Sequence, residues 1–261
     1  MKVLSGITRE HSKDLEQAVR MLKDARKAVA LTGAGISVGS GIPDFRSPGG
    51  LWSVFSPEEY ATLDVFHRNP AKAWELYRAL GATLQGKSAN AAHAALADLE
   101  RRGLLSGIIT QNVDNLHQQA GSRTVFEIHG DHQHLQCLQC DGLEEVRQDH
   151  YQGAGVPRCR QCGHPLKPNV VLFGEAVRGL DEITSFIDDC DLLLVIGTSA
   201  QVYPAAGLPR TVKRNGGKIF EFNQEQVLGG GGFFREATMT DVFFEGDVVR
   251  TLPRLTEAVI G

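Results

Sequence analysis

Four cysteines stand in two pairs, Cys137-x-x-Cys140 and Cys159-x-x-Cys162, with Gly142, Gly153, Gly155 and Pro157 in the loop between them. Thiolates at that spacing are the donor set of a zinc ribbon, and four of them close a tetrahedral sphere. The expected metal is therefore structural, with no open position for water or substrate. The neighbouring His132, His134 and His164 are read as surface residues, because four thiolates leave no place for another ligand. Cys190, just ahead of an apolar run, is read as a small buried hydrophobe. Four unrelated buried thiols are the plainer alternative, but such pairing is rare outside metal and redox sites.

Ahead of the cysteines, the apolar run Ala28-Val29-Ala30-Leu31 is short enough to be a buried strand, and it leads into Thr32-Gly33-Ala34-Gly35-Ile36. A Gly-x-Gly turn at the carboxyl end of a strand lets backbone approach a pyrophosphate, whose charge the amides and the next helix start neutralise. The third glycine of the usual dinucleotide fingerprint is out of register: Val38 holds its place and Gly39 comes one late. Nor does a carboxylate end a second strand about 20 residues on, where it would bind a ribose. An ordinary dehydrogenase is excluded. Beyond the turn, Pro43-Asp44-Phe45-Arg46 sets an acid, an aromatic ring and a guanidinium side by side in a loop rich in glycine and proline. Such a loop is fit to close over a ligand.

Further segments join these: Thr110–His117 (TQNVDNLH), Glu127–Gly130 (EIHG), Asn169–Glu175 (NVVLFGE) and Gly197–Ser199 (GTS). Taken in order with GAGISVGSGIPDFR and the cysteine pairs, they make the chain resemble the sirtuin family from about Ala28 to the C-terminus. Several motifs in one order are far more specific than any one of them. The resemblance implies NAD-dependent removal of an acyl group from lysine, with NAD and one structural zinc as cofactors and an acyl-lysine protein or peptide as substrate. In that reaction the acyl oxygen takes the ribose carbon as nicotinamide leaves. A base then activates a ribose hydroxyl that attacks the resulting imidate, and water completes release of lysine and O-acyl-ADP-ribose.

By resemblance the base is His129, and an imidazole titrating near neutral pH suits proton abstraction from a sugar hydroxyl. Asn112 and Asp114, with Gln111 and Val113, would line the nicotinamide pocket, where a carboxamide presents one acceptor and two donors. The remaining cofactor residues would be Gly33, Ala34, Gly35, Ile36, Asp44, Phe45 and Arg46, then Gly197, Thr198 and Ser199, with Asn223 at the ribose and Val248 at the adenine. Asp247 is explained equally well as a helix start. Val171, Phe173, Gly174 and Glu175, with Val202 and Tyr203, would clamp the peptide as an added strand, which gives affinity with little sequence preference. Ala73–Tyr77 is similar to the helix on which desuccinylating sirtuins carry a Tyr-x-x-Arg pair, but here the fourth position is Leu80. Without a paired cation an acidic acyl group loses its hydration uncompensated. Arg78 lies one residue from Tyr77, about 100° round the helix. Tyr77 and Leu80 are accordingly expected to wall a pocket for neutral acyl groups, acetyl first. Two other readings use the same residues: mono-ADP-ribosyl transfer or NAD hydrolysis, and a non-catalytic NAD and zinc binding module.

These residues need elements to hold them. Strands are expected at 28–31, 107–110, 125–128, 191–196 and 218–222, each running into polar residues, as in an open parallel sheet that keeps its ligand at the carboxyl ends. Helices are expected at 11–27, 70–84, 89–101 and 247–259, and Gly229 to Gly232 as a mobile surface loop. The fold implied is α/β, a doubly wound parallel (Rossmann-like) sheet with a smaller lobe formed by a helical insert and the zinc ribbon. Residues 1–44, 84–134 and 167–261 would form the NAD-binding domain, 45–83 the cofactor loop and insert, and 135–166 the ribbon. A chain of 261 residues with a formal charge of −4 has ample core and no basic face for nucleic acid. No run reaches bilayer length, and the N-terminus lacks a secretory apolar region. No membrane partner is expected, and with thiols suited to a reducing compartment the protein is expected in the cytoplasm.

Overall fold

Ala28–Thr32 and Leu192–Ile196 are buried along their whole length, which places them at the centre of a sheet covered on both faces. The computed structural model describes residues 1–5, 12–229 and 238–261. Its strands are β1 (Lys2–Ser5), β2 (Ala28–Thr32), β3 (Gly107–Thr110), β4 (Val125–Glu127), β5 (Gly130–Cys137), β6 (Leu143–Glu145), β7 (Leu166–Val170), β8 (Leu192–Ile196), β9 (Lys218–Asn223) and β10 (Val242–Glu245). Seven of them form one sheet in the order β1-β10-β9-β8-β2-β3-β4, every pair parallel. The chain builds outward from β2 through β3 to β4, then returns to the other side of β2 with β8. The order thus reverses between β2 and β8, and a crevice opens at their carboxyl ends.

Side chains alternate between the two faces. Ala28, Ala30, Leu192, Leu194 and Ile196 pack with Leu96, Leu252 and Leu255 on one side. Val29, Leu31, Leu193 and Val195 pack with Ile183, Ile187, Leu208 and Val212 on the other. Local chemistry sets the helix starts: Asn69 Oδ1 accepts from Lys72 N at 3.2 Å with Pro70 next in line, and Asn90 Oδ1 accepts from Ala92 N at 2.9 Å. Asp247 does the same for Val249 N at 3.1 Å, so the closing helix runs Val248–Ile260.

The smaller lobe has its own core. Phe66, Trp74, Leu76 and Tyr77 from the helices Leu63–Arg68 and Pro70–Leu84 pack on Leu135, Cys137, Leu166 and Leu172. Trp74 Nε1 ties the two parts together by donating to Leu166 O at 2.7 Å. Here β5 pairs antiparallel with β6 and β7, so this sheet begins at Gly130 and ends at Val170, past the expected ribbon on both sides. The edge strand β1 and its neighbour β10 join the main sheet beyond the strands expected from sequence. The last three residues of the glycine run, 230–232, lie outside the described residues.

Candidate active site

The four ribbon sulfurs converge. Cys137 Sγ lies 3.4 Å from Cys162 Sγ, and Cys140 Sγ lies 3.6 Å from the sulfurs of both Cys159 and Cys162. Tetrahedral zinc with bonds of about 2.3 Å needs sulfur pairs about 3.8 Å apart, and all four sulfurs lie within 4.8 Å of one another. The donor set fits a structural zinc. His164 is exposed, and His134 is part-exposed, with Nδ1 2.8 Å from Asp131. His132 departs from the surface reading: it is 8% exposed and stacks on Tyr151 at 4.6 Å between ring centroids. Burial pushes its pKa down to about 4. The ring is covered by a residue of the helix Gln148–Gln152, which no spacing around the cysteines reveals.

At the crevice, a cleft of about 1000 Å³ opens between the main sheet and the smaller lobe. The glycines of the first turn bring two backbones together. Gly33 N donates to Ile196 O at 3.0 Å and Gly35 N to Gly197 O at 2.8 Å. A Cβ on Gly35 would stand 2.7 Å from Gly197 Cα. The Gly-x-Gly spacing therefore serves the packing of the β2 turn on the β8 turn as well as any ligand. Gly33, Ala34 and Gly35 line the cleft. Ile36 does not: it is fully buried in the main core behind the turn, and its carbonyl accepts from Asn90 Nδ2 at 2.8 Å.

Asp44 lines the cleft, yet its oxygens serve its own loop. Oδ1 accepts from Arg46 N and Ser47 N at 2.8 and 2.7 Å, and Oδ2 from Ser47 Oγ at 2.6 Å. Burial raises the carboxyl's pKa, but these bonds outweigh it and hold the value below the ordinary one. Phe45 packs on Trp52 at 5.0 Å, and Trp52 N donates to Phe45 O at 2.9 Å. The Arg46 guanidinium also lines the cleft and has no ion-pair partner among the described residues. It is an open cation.

The segment after β3 makes the deeper pocket. Asn112 Nδ2 donates to Ser37 Oγ at 3.1 Å, and Ser37 Oγ donates to Asp114 Oδ2 at 2.6 Å. Asp114 Oδ1 accepts from Leu116 N at 3.0 Å. Asp114 thus sits behind Ser37 and orients it, while Gln111, Asn112 and Val113 line the cleft. Gln111 Nε2 donates to Thr198 Oγ1 at 2.9 Å, and Asn223 Nδ2 to Thr198 O at 3.2 Å, which joins the ends of β3, β8 and β9. Gly197, Thr198, Ser199, Asn223 and Val248 all face the same cleft.

His129 lines the same cleft. Its Nδ1 lies 3.1 Å from the Gln111 carbonyl. A carbonyl only accepts, so Nδ1 carries the hydrogen and Nε2 keeps its lone pair. Burial lowers the ring's pKa, with the Gln111 carbonyl pulling the other way. The ring is accordingly a neutral base with its acceptor nitrogen unpartnered among the described residues.

Beyond His129 lies the proposed peptide side. Val171 N donates to His129 O at 2.8 Å, while the Val171 carbonyl meets no backbone donor among the described residues. Phe173 spends both main-chain groups on the insert, donating to Ala61 O and accepting from Leu63 N, each at 3.0 Å. Its part-exposed side chain stands 6.4 Å from Trp52. Gly174, Glu175, Val202 and Tyr203 complete that wall, with Tyr77 and Leu80 across from them. Arg78 is turned away: Nε and Nη2 donate to Gly153 O and Gly155 O, each at 2.8 Å.

Ser37, Trp52, Gln224 and Glu225 also belong to the site, and residue type alone does not mark them; Ser37 lies within the Gly33–Arg46 segment, and Gln224 and Glu225 directly follow Asn223, so position carries the signal.

A family model described as the Sir2 family matches residues 33–204. The chain belongs to the Sir2 family. Among Sir2 relatives, an NAD-dependent protein deacylase of Thermococcus kodakarensis is 41% identical over 252 residues, 94% of this chain and 95% of its own. An NAD-dependent protein deacetylase of Sulfolobus acidocaldarius is 44% identical over 82% of this chain and 85% of its own. Among solved structures, a Sir2 homolog–NAD complex superposes with a TM-score of 0.83 at 37% identity, covering 94% of this chain and 93% of the other. A Sir2–p53 peptide–NAD+ complex gives 0.80 at 35%, covering 94% and 98%. The Sir2 model ends at Pro204, so Asn223 and Val248 reach the cleft from beyond it.

Proposed function

We propose that the chain is an NAD-dependent protein-lysine deacylase, releasing nicotinamide, free lysine and O-acyl-ADP-ribose. The observation that carries this reading is the tautomer of His129: a neutral imidazole with a free Nε2, in a cleft lined by strand ends and by the segment whose Val171 carbonyl meets no backbone donor among the described residues. Bound there, NAD would supply the ribose carbon that accepts the acyl oxygen and the nicotinamide that leaves.

The residues divide the remaining work. Arg46 offers an unpaired guanidinium to anionic oxygens. Asn112, oriented through Ser37 by Asp114, presents a fixed amide to a carboxamide. His129 Nε2 takes the proton of a ribose hydroxyl. The Val171 carbonyl accepts from the amide N–H of an acyl-lysine, and Gly174 offers main-chain groups to the peptide on either side. Phe45 on Trp52 forms an apolar cover that keeps water from the reacting carbon.

The substrate is a protein or peptide, and the acyl group is neutral, because Arg78 is bound to carbonyls outside the cleft. The NAD-binding domain is discontinuous, with 45–83 and the antiparallel sheet from Gly130 to Val170 as the smaller lobe. Among the described residues no helix is long and apolar enough to cross a membrane. A cytoplasmic place of action fits thiols that a reducing compartment keeps available for zinc. Nicotinamide release is the test: it should require both NAD and an acetyl-lysine peptide. Release with NAD alone, unchanged by peptide, would make the protein a hydrolase and overturn the reading.

A further inference from the structure

Lys167 belongs to the segment Leu166-Lys167-Pro168-Asn169-Val170 of β7. In the fold it has no solvent exposure at all, paired across the sheet with the buried Gln136. An ammonium in such a place is costly unless its donors are satisfied and its charge is paired. Here both conditions hold. Nζ donates to Val170 O at 2.6 Å and Pro168 O at 3.3 Å, and lies 3.2 Å from Glu175 Oε2. An ammonium has three donors, and all three are used on one stretch, 168–175.

Side chains tie the stretch at Asn169, whose Nδ2 donates to Asp131 Oδ2 at 2.6 Å and whose Oδ1 accepts from Arg178 Nη1 at 2.8 Å, while Arg178 Nη2 stays 3.9 Å from Glu175 Oε1. After Val170 the chain leaves the ladder of β7, and only Val171 N and the two main-chain groups of Phe173 bond outward. Between them, Leu172 N donates to Glu175 Oε2 at 3.0 Å and Glu175 N to Leu172 O at 2.9 Å. The turn that presents Gly174 and the Val171 carbonyl to the cleft is thus wound around a carboxylate, and that carboxylate is anchored by the buried ammonium.

We propose that Lys167 is a positioning residue for substrate, fixing the peptide-binding segment 170–175 through Glu175 and the carbonyls of Pro168 and Val170 without touching either reactant. This rests on the deacylase reading of the cleft. Lys167 lies outside the cofactor half of the site, so its loss acts on peptide and leaves NAD alone. The three variants to compare are Lys167→Met, which keeps length and removes charge, Lys167→Arg, which keeps charge, and the double variant Lys167→Met with Glu175→Met.

Steady-state kinetics with an acetyl-lysine peptide should show the peptide KM of Lys167→Met rising about tenfold or more, with the NAD KM within about twofold of the parent protein. Lys167→Arg should recover most of the loss. Amide exchange at 170–175 should quicken in Lys167→Met while zinc content stays unchanged, and this readout does not depend on any activity. Should the single variant fail to fold, the double variant replaces the pair by apolar groups, a change that buried pairs tolerate, and it should bind NAD normally and peptide weakly. A folded Lys167→Met or double variant with an unchanged peptide KM would overturn the proposal, as would equal rises in both KM values. A parent protein with no activity on any acyl peptide, yet with faster exchange at 170–175 in Lys167→Met, would overturn the deacylase reading and leave the structural tie standing.

Discussion

Acidification should unfold this protein through its buried rings. His93, His117 and His132 are at most 8% exposed, and burial is the main cause pushing their pKa values down to about 4, about 3 and about 4. His117 shows the mechanism. Its Nε2 lies 2.9 Å from Thr32 Oγ1, whose own proton goes to Thr110 Oγ1 at 2.8 Å, so Nε2 carries the hydrogen. A second proton would go to Nδ1, which is buried without a partner among the described residues. In the unfolded chain each ring titrates near about 6.5. The folded values are lower, so the unfolded state binds more protons as pH falls. The stabilisation is complete above the unfolded value and drains away as pH drops toward the folded one. At a pH of about 5 each ring costs about 2 kcal/mol relative to neutral pH. Three rings together cost about 6 kcal/mol, comparable with the whole stability of many domains. Urea midpoints at a series of pH values, with zinc present throughout, measure this. His117→Gln should be weaker at neutral pH but should lose about a third of the dependence on pH. A variant with the same pH slope as the parent would refute the linkage.

Other outcomes follow from the site. His129→Ala should lower kcat by about 10²–10⁴ while NAD still binds, measured by single-turnover rates and calorimetry. Because burial lowers the His129 pKa, the base stays neutral further into acid, and the acid limb of kcat/KM should fall below the ordinary imidazole value of about 6.5. Cys159→Ser should lose zinc and unfold the smaller lobe, since metal affinity there is folding free energy on the order of 10 kcal/mol. Metal content and circular dichroism report it, and a zinc-free, folded, active protein would contradict it. With Arg78 held by Gly153 O and Gly155 O, kcat/KM should favour acetyl-lysine over succinyl-lysine peptides, and a succinyl value at or above the acetyl value would contradict the neutral pocket.

Most of the central sheet could be read from the chain because β8 is apolar throughout and β2 and β3 are free of polar side chains up to their final threonines, a pattern set by burial on both faces. Strand β1 forms an edge and is polar at both ends, Lys2 and Ser5, so no apolar run marks it. The zinc site was legible because ligand spacing is a local property. Long-range closure was not. His132 is buried by Tyr151 and Lys167 by the return of Glu175, and both would sit comfortably on a surface if those partners were elsewhere. The resemblance assigns Asp44 and Asp114 to ligand contact, whereas the fold also spends their oxygens on Ser47 at the cleft wall and on Ser37 behind Asn112. Ile36 was carried along with its glycine neighbours, and its apolar side chain went to the core instead.

If His129 Nε2 serves as the base, an acyl group moves from lysine to the ribose of NAD. Mass analysis of the products formed from NAD and an acetyl-lysine peptide tests it directly. Equal amounts of nicotinamide, free-lysine peptide and O-acetyl-ADP-ribose should form, and none when either substrate is left out. Free acetate with intact NAD, or ADP-ribose with the peptide still acetylated, would contradict it.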